Sequence, residues 1–207
     1  MTKKNLLIGT NNRGKFIEIS EVLGDLGHVL LNPFDLGITT DPEETGLTFA
    51  ENALLKARHF FEQSNGVSTI ADDSGIVVDV LAGELGIHTR RWGAGPKASD
   101  EEWVAHFLKR MENEENRNAR FVCNLAYIDP SGEEHIFEGQ CAGVITPSLE
   151  ADYLPGLPIS ACFRPEGFDI VYSAMTVDQK NAISHRGRAL QRLREHLVAN
   201  ESTHQGY

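Results

Sequence analysis

The sequence contains no long apolar stretch, since no run approaches the ~20 consecutive residues that a bilayer-spanning helix needs. The segment MTKKNLLIGTNN also lacks the apolar region and the cleavage site of a signal peptide. Only three residues of 207 are cysteines, and Cys123, Cys141 and Cys162 form neither a CxxC pair nor a Cys/His metal spacing. We therefore expect a cytoplasmic protein that makes no membrane contact and keeps these thiols reduced.

Positive charge is also scarce. Lys and Arg total 19 against 30 Asp and Glu, which gives a formal net charge of −11. This excess repels polynucleotide backbones, so we expect no nucleic acid partner. A small phosphorylated ligand remains compatible with it, because a few local cations and a metal ion are enough to hold one. The length and the 41% hydrophobic content predict one globular domain over residues 1–200 and a short C-terminal tail at 201–207.

Strand and helix patterns alternate along the chain. NLLIGT (5–10) predicts a short strand, and apolar residues at helical spacing predict a helix over 15–26. Thr48, Ser99 and Thr176 each precede a Glu or Gln by three residues, the capping-box pattern at a helix start. RFVCNLAYI predicts a half-buried strand in a hairpin with EHIFEGQCAGVIT. About five or six strands in this order predict an α/β fold, bordering on α+β, with a mixed central sheet flanked by helices.

The stretch STIADDSGIVVDVLAG places polar residues between two apolar segments. We predict one strand up to Ala71, a second from Ile76, and the pair Asp72 and Asp73 at the end of the first. A polar turn is the plain interpretation of Asp, Ser and Gly. The chemical interpretation is a metal site, because Mg²⁺ prefers oxygen ligands and a carboxylate beside it can accept a proton from water.

Two more acids, Glu43 and Glu44, lie in a loop-like segment and are further candidate ligands, unless the loop is simply solvated.

The segment LLIGTNNRGK leads from a strand into a helix through a polar loop. Free amides at that helix start, with Lys15 and the side chains of Thr10 and Asn12, form a candidate phosphate cradle. The segment is not a P-loop, and a plain strand-to-helix turn is the alternative.

A cationic group follows near the C-terminus in DQKNAISHRGRAL. Lys180, His185 and Arg186 can donate to phosphate or to the edge of a base, although a basic helix face is the commoner role of such a run. On one straight helix Lys180 and His185 would point ~140° apart, so joint use requires either a break near Ser184, where Ser184 caps a new helix, or a ligand that wraps around the helix end.

Four motifs in this order, TNNRGK, EETGLTFAENALLKA, ADDSG and KNAISHRGRAL, resemble the inosine triphosphate pyrophosphatase family from Leu6 to about Leu193. The resemblance implies two lobes with a nucleotide cleft between them, a homodimer, and the use of Mg²⁺. It also implies hydrolysis of non-standard purine nucleoside triphosphates between the α and β phosphates, which yields the monophosphate and pyrophosphate.

The resemblance assigns roles to individual residues. Glu44 and Asp73 are implied as metal ligands and Asp73 also as the catalytic proton acceptor, with Asp72 expected to contribute less. Substrate-binding roles fall on eight residues: Thr10, Asn12, Lys15, Lys56, Ser74, Lys180, His185 and Arg186.

One segment departs from the family pattern, in which Phe-Gly-Tyr/Trp-Asp-Pro supplies a ring that packs on the purine and an Asp that reads its edge. With Gly156 aligned, Pro155 precedes it and Leu157 and Pro158 follow, so the ring and the acid are both missing. Other polar residues nearby are out of register: Asp152, Tyr153 and Asp169. Two alternatives therefore stay open, the same hydrolysis on a different base and a nucleotide-binding sensor without turnover.

Overall fold

The structure is a computed structural model that describes residues 4–88, 92–93, 95, 97–154 and 156–203. Its strands are β1 (Asn5–Ile8), β2 (Val29–Leu31), β3 (Thr69–Val78), β4 (Asn118–Ile128), β5 (Glu134–Ile145) and β6 (Phe163–Pro165). Its α-helices are α1 (Arg13–Leu23), α2 (Phe49–Gln63), α3 (Asp100–Arg110), α4 (Val177–Ile183) and α5 (His185–Thr203).

The strands form one six-stranded sheet in the order β2-β1-β3-β4-β5-β6. β1 runs parallel to β2 and to β3, whereas β5 and β6 are antiparallel. The predicted α/β fold with a mixed sheet and flanking helices is confirmed.

No helix among the described residues is both long enough and apolar enough to cross a membrane. All three cysteines are buried free thiols, as predicted.

The chain divides into two compact units. The first comprises the described parts of 1–74, 123–139 and 185–207, and the second comprises those of 75–122 and 140–184. Each unit has its own apolar core. That of the second is aromatic, with the Trp103 and Phe107 rings stacked at 5.4 Å and Phe121 edge-on to Phe163 at 4.7 Å.

Helices cover both faces of the sheet in the first unit, and the alternation of β3 decides which residue meets which helix. Ile70 packs in one core cluster with residues of α1 and α5, whereas Ala71 packs in another with Ala53 and Ala57 of α2. Successive strand residues point to opposite faces. Asp72 therefore follows Ile70 toward α1 and α5, and Asp73 follows Ala71 toward α2.

Two predictions about strands were wrong. β3 is one continuous strand, so Asp72 and Asp73 lie inside it and no turn separates two strands. β4 is buried on both faces from Phe121 to Ile128, where half-burial was predicted. Both errors have the same cause. Groups from distant parts of the chain cover these strands on both sides, and the local sequence does not show them.

Helix starts were predicted more accurately than helix ends. Ser99 and Thr176 form complete capping boxes. Thr48 forms only half of a capping box. Its side chain accepts from the Glu51 amide, but the Glu51 carboxylate accepts from Leu47 N–H and not from the N–H of Thr48. α1 ends at Leu23, and the rest of the predicted span to residue 26 is a 3₁₀ turn.

Candidate active site

The loop between β1 and α1 and the first turn of α1 hold three of the predicted phosphate-binding residues. Asn12 caps α1, since its Oδ1 accepts from Gly14 N at 2.9 Å and from Lys15 N at 3.2 Å. Thr10 Oγ1 accepts from Asn12 N at 3.2 Å. Two of the amides predicted to be free for phosphate are thus already satisfied by Asn12. Asn12 holds the loop, and Lys15 in the first turn of α1 supplies the charged side chain.

Asp72 is the centre of a buried ionic cluster on the face of β3 that meets α1 and α5. Its Oδ2 lies 3.0 Å from Lys15 Nζ and 3.3 Å from Arg186 Nε, and the side chain is only 1% exposed. Arg186 also donates to Glu18 Oε2 at 2.6 Å and to Ser74 Oγ at 3.2 Å. Asp72 thus brings together Lys15 and Arg186, and Arg186 in turn contacts Ser74, so three predicted substrate-binding residues belong to this cluster.

The charge states of this cluster follow from the balance between burial and pairing. Burial alone would raise the pKa of Asp72, but Lys15 and Arg186 outweigh burial and lower that pKa to about 2. Burial opposes the charged form of Arg186 in the same way, yet Asp72 and Glu18 raise its pKa. Burial, and then the Asp72 charge, raise the pKa of the neighbouring Cys123 thiol. Asp72 and Arg186 are therefore ionised at neutral pH, while Cys123 stays a neutral thiol.

The second cluster lies on the opposite face of β3, toward α2. Lys56 Nζ lies 2.7 Å from Glu44 Oε1 and 3.0 Å from Asp73 Oδ1, and it donates to the Asp72 carbonyl oxygen at 3.2 Å. Burial tends to lower the pKa of Lys56, but Asp73 and Glu44 raise it. The two predicted metal ligands and a predicted phosphate-binding lysine are thus brought together. Glu43, the other candidate acid, is exposed.

Asn52 is a member of this cluster that the sequence analysis missed. It is 3% exposed, donates from Nδ2 to Asp73 Oδ2 at 3.2 Å, and accepts from Gly46 N at Oδ1 at 2.8 Å. It therefore ties the loop that carries Glu44 to the carboxylate of Asp73. A signal was present, because Asn52 lies four residues before Lys56 in ENALLKA and shares its helix face.

His185 and Arg186 begin α5, directly after a break at Ser184, where ψ is 127°. The chain thus has the break that was one of the two conditions for joint use of Lys180 and His185. The start of α5 lies against β5 at Gly139, where a Cβ atom would meet the His185 carbonyl oxygen at 2.0 Å, so only glycine fits there. Burial, followed by the charge of Arg186, lowers the pKa of His185 to about 3, so its imidazole is neutral. Lys180 lies in α4, in the second unit.

Comparisons with known proteins show the family to which the chain belongs. The Ham1 family model matches residues 6–196. The chain belongs to the Ham1 family. A dITP/XTP pyrophosphatase of Leptospira interrogans is 38% identical over 195 residues, which cover 94% of this chain and 98% of that protein. A dITP/XTP pyrophosphatase of Streptomyces coelicolor is 38% identical over 192 residues, which cover 91% of this chain and 94% of that protein.

Solved structures of Ham1 family members share the fold. The Staphylococcus aureus Ham1 protein superposes with a TM-score of 0.86 at 32% identity and covers 95% of this chain and 100% of its own. The dITP/XTP pyrophosphatase of Mycobacterium abscessus superposes with a TM-score of 0.75 at 33% identity. The match covers 91% of this chain and 97% of that protein. The predicted resemblance and the predicted fold are both confirmed.

The segment that departs from the family pattern packs within the second unit. Pro155 lies outside the described residues. Pro158 is buried, and Leu157 packs against the aromatic core. The backbone here is held by side chains, because Ser160 Oγ accepts from Leu154 N at 3.0 Å and Asp100 Oδ2 from Gly156 N at 2.7 Å. The other polar residues of the segment are exposed or half-buried: Asp152, Tyr153 and Asp169.

A separate group of possible metal ligands lies at the turn between β4 and β5, where atoms of Asp129, Glu133 and His135 lie within 4.8 Å of one another. Asp129 Oδ1 is already occupied by the turn, since it accepts from Ser131 N and Oγ and from Glu133 N. The group shares no residue with the predicted metal site. The turn geometry accounts for it.

Proposed function

We propose that this Ham1 family member hydrolyses non-canonical purine nucleoside triphosphates of the dITP and XTP type to the monophosphate and pyrophosphate, with Mg²⁺ as cofactor. The observation that carries the proposal is the pairing at β3, where Glu44, Lys56 and Asp73 meet on one face and Lys15, Asp72 and Arg186 on the other. The names of the relatives support the substrate class.

The position of these clusters favours a polyphosphate ligand. β1 ends at Ile8, and Gly9 N donates to the Ile70 carbonyl oxygen at 2.7 Å, whereas β3 continues to Val78. Asp72 and Asp73 therefore lie just beyond the carboxyl end of β1, beside the loop that enters α1. Ligands of α/β sheets bind outside the carboxyl ends of parallel strands. A row of phosphates there can contact Lys15 from one face of β3 and Lys56 from the other.

The donor set of Glu44 and Asp73 fits Mg²⁺, which takes carboxylate oxygens and keeps several waters. Both carboxylates are reachable from solvent, with side chains 38% and 13% exposed. When bound, the metal would neutralise phosphate charge and acidify a bound water. Lys15 and Arg186 would hold phosphate oxygens, and Asn52 would keep the Asp73 carboxylate in a fixed orientation.

We assign Asp73 as the general base. Its carboxylate accepts a proton from water, the water oxygen forms a bond to the α phosphorus, and the bond from that phosphorus to the oxygen that bridges it to the β phosphorus breaks. Pyrophosphate leaves with the bridging electrons. Thr10 and Asn12 shape the loop that contacts the phosphates, and Ser74, Lys180 and His185 complete the proposed substrate contacts.

Further parts of the proposal rest on family resemblance. We propose that residues 1–200 act as one catalytic domain, that the nucleotide binds in a cleft, and that the enzyme is a cytoplasmic homodimer without a nucleic acid or membrane partner. The match of one family model over 6–196 supports the single domain.

The test is pyrophosphate release from inosine, deoxyinosine, xanthosine, guanosine, adenosine and pyrimidine triphosphates, with and without Mg²⁺. We expect Mg²⁺-dependent release, fastest with the inosine and xanthosine substrates. Tight binding of a nucleotide without release would instead favour the sensor.

The same reaction on a different or wider set of bases is a second candidate, which the packing of Leu157 against the core of the second unit and the burial of Pro158 favour. Losing one charged or edge-on hydrogen bond to the base would reduce the preference for inosine over guanosine triphosphate by roughly ten- to a hundred-fold. Sharp selectivity that is lost on Asp152→Ala would show instead that Asp152 restores the base contact.

A further inference from the structure

The two carboxylates that we assign to the metal already share a cation that belongs to the chain. Lys56 Nζ contacts Glu44 Oε1 at 2.7 Å and Asp73 Oδ1 at 3.0 Å, and its side chain is 14% exposed. Its third contact, to the Asp72 carbonyl oxygen at 3.2 Å, uses the last of the three hydrogens of an ammonium group. Lys56 is thus surrounded by oxygen atoms, the ligand type that Mg²⁺ also takes.

The ammonium group and a divalent ion compete for these oxygens. Two cations at contact distance from the same carboxylates repel each other strongly in a partly buried site. Metal entry therefore requires Lys56 Nζ to leave Glu44 and Asp73. The four-carbon stem of lysine allows that movement. A largely buried ammonium that loses its carboxylates needs another anion, because an unpaired buried charge is costly. The phosphate groups of the substrate are the anions that arrive with the metal.

We propose that Lys56 is a displaceable internal cation, which neutralises Glu44 and Asp73 before the metal binds and moves to a substrate phosphate when the metal takes those carboxylates. The inference rests on the metal assignment of the proposed function and adds an exchange to it. The consequence is that Lys56 weakens metal binding to the nucleotide-free enzyme, so that metal and nucleotide bind together rather than one after the other.

A purely structural role of Lys56 leads to the opposite expectation. In that role Lys56 only holds the loop of Glu44 against β3. Its removal would let the carboxylates of Glu44 and Asp73 repel each other and move apart, so metal binding would weaken. The direction of the change in metal affinity therefore distinguishes the two roles.

The first measurement is Mn²⁺ affinity of the nucleotide-free protein, by electron paramagnetic resonance, for wild type and for Lys56→Met, Lys56→Arg and Lys15→Met. We expect Lys56→Met to bind Mn²⁺ at least about tenfold more tightly, since two carboxylates lose a charged hydrogen-bond partner. Lys56→Arg keeps the charge and should stay close to wild type. Lys15→Met is the matched control, because it removes another partly buried lysine whose partner is Asp72.

The second measurement follows Lys56 in the unmodified protein. Amine-reactive labelling, read by mass spectrometry, should increase at Lys56 when Mg²⁺ is added without nucleotide, while labelling of Lys15 stays constant. Unchanged labelling of Lys56, or a folded Lys56→Met variant that binds Mn²⁺ no more tightly than wild type, overturns the exchange.

Failure of the exchange is distinguishable from failure of the metal assignment. Glu44→Gln and Asp73→Asn should both weaken Mn²⁺ binding. If they do and Lys56→Met does not tighten it, the metal site stands and the exchange is wrong. If neither weakens it, the metal assignment is wrong and the exchange is overturned with it. Pyrophosphate release by the wild type tests the reaction separately.

Discussion

The two faces of β3 use neighbouring acids in different ways. Asp72 is 1% exposed and pairs with Lys15 and Arg186, whereas Asp73 is 13% exposed and pairs with Lys56 and the amide of Asn52. On the face of Asp72, one carboxylate lies between two cations. On the face of Asp73, one cation, Lys56, lies between two carboxylates. The balance of charge suits Asp72 to fixing cations in place and suits Asp73 to binding a cation and accepting a proton.

The largest expected effect is on stability at the buried face. Asp72→Asn leaves Lys15 and Arg186 without their central carboxylate, so the free energy of unfolding should fall by about 3–5 kcal/mol, the usual result of breaking a buried ion pair. Urea denaturation at pH 7 measures it. The control is Glu134→Gln, which breaks a more exposed pair with Arg58 and should cost less than about 1 kcal/mol. Equal losses in the two variants would contradict the contrast between a buried and an exposed pair.

The second effect concerns turnover at the opposite face. Asp73→Asn keeps the size of the side chain but removes its charge and basicity, so kcat should fall by at least ~100-fold, the scale of losing a general base. The loss of stability should be smaller than for Asp72→Asn, because Lys56 keeps Glu44. Steady-state kinetics and urea denaturation on both variants separate the two roles. Near-normal turnover of Asp73→Asn, together with a greater loss in folded Asp72→Asn, would mean that the base is the other acid.

The third effect is a pH dependence of stability from His185. Its pKa is about 3 in the folded protein and about 6.5 when unfolded, so below pH 6.5 the unfolded state binds the extra proton and stability falls. At about 1.4 kcal/mol per pH unit, the loss between pH 6.5 and 5 is ~2 kcal/mol. Asp72, with a pKa of about 2, adds its own loss only at still lower pH. His185→Gln should flatten the curve, and identical slopes in both proteins would refute this assignment.

The smallest expected effect is on substrate affinity through Lys15, which is partly exposed and acts as a point charge. Lys15→Ala should raise KM by about tenfold, and by the same factor for every nucleoside triphosphate, because the phosphates are common to all. A comparison of KM across inosine, guanosine and adenosine triphosphates tests this. A change in base preference without a change in triphosphate affinity would place Lys15 at the base rather than at the phosphates.

Local signals predicted the elements of this site better than they predicted its surroundings. The caps at Ser99 and Thr176 depend on hydrogen bonds within a few residues, and both are present. The continuity of β3 through Asp72 depends on Arg186, 114 positions away in the chain. A polar run inside a strand resembles a turn until such distant partners are known, so the turn was predicted in error.

The sequence by itself determined the membership of the family and most of the residue types of the proposed site, because these depend on motifs that are readable along the chain. It also placed two acids side by side. Only the tertiary structure decided that Asp72 is buried with Lys15 and Arg186 while Asp73 meets Lys56, Glu44 and Asn52. The physical reason is that a strand turns neighbours to opposite faces, and the helices packed on each face supply the charges that set the role of each acid.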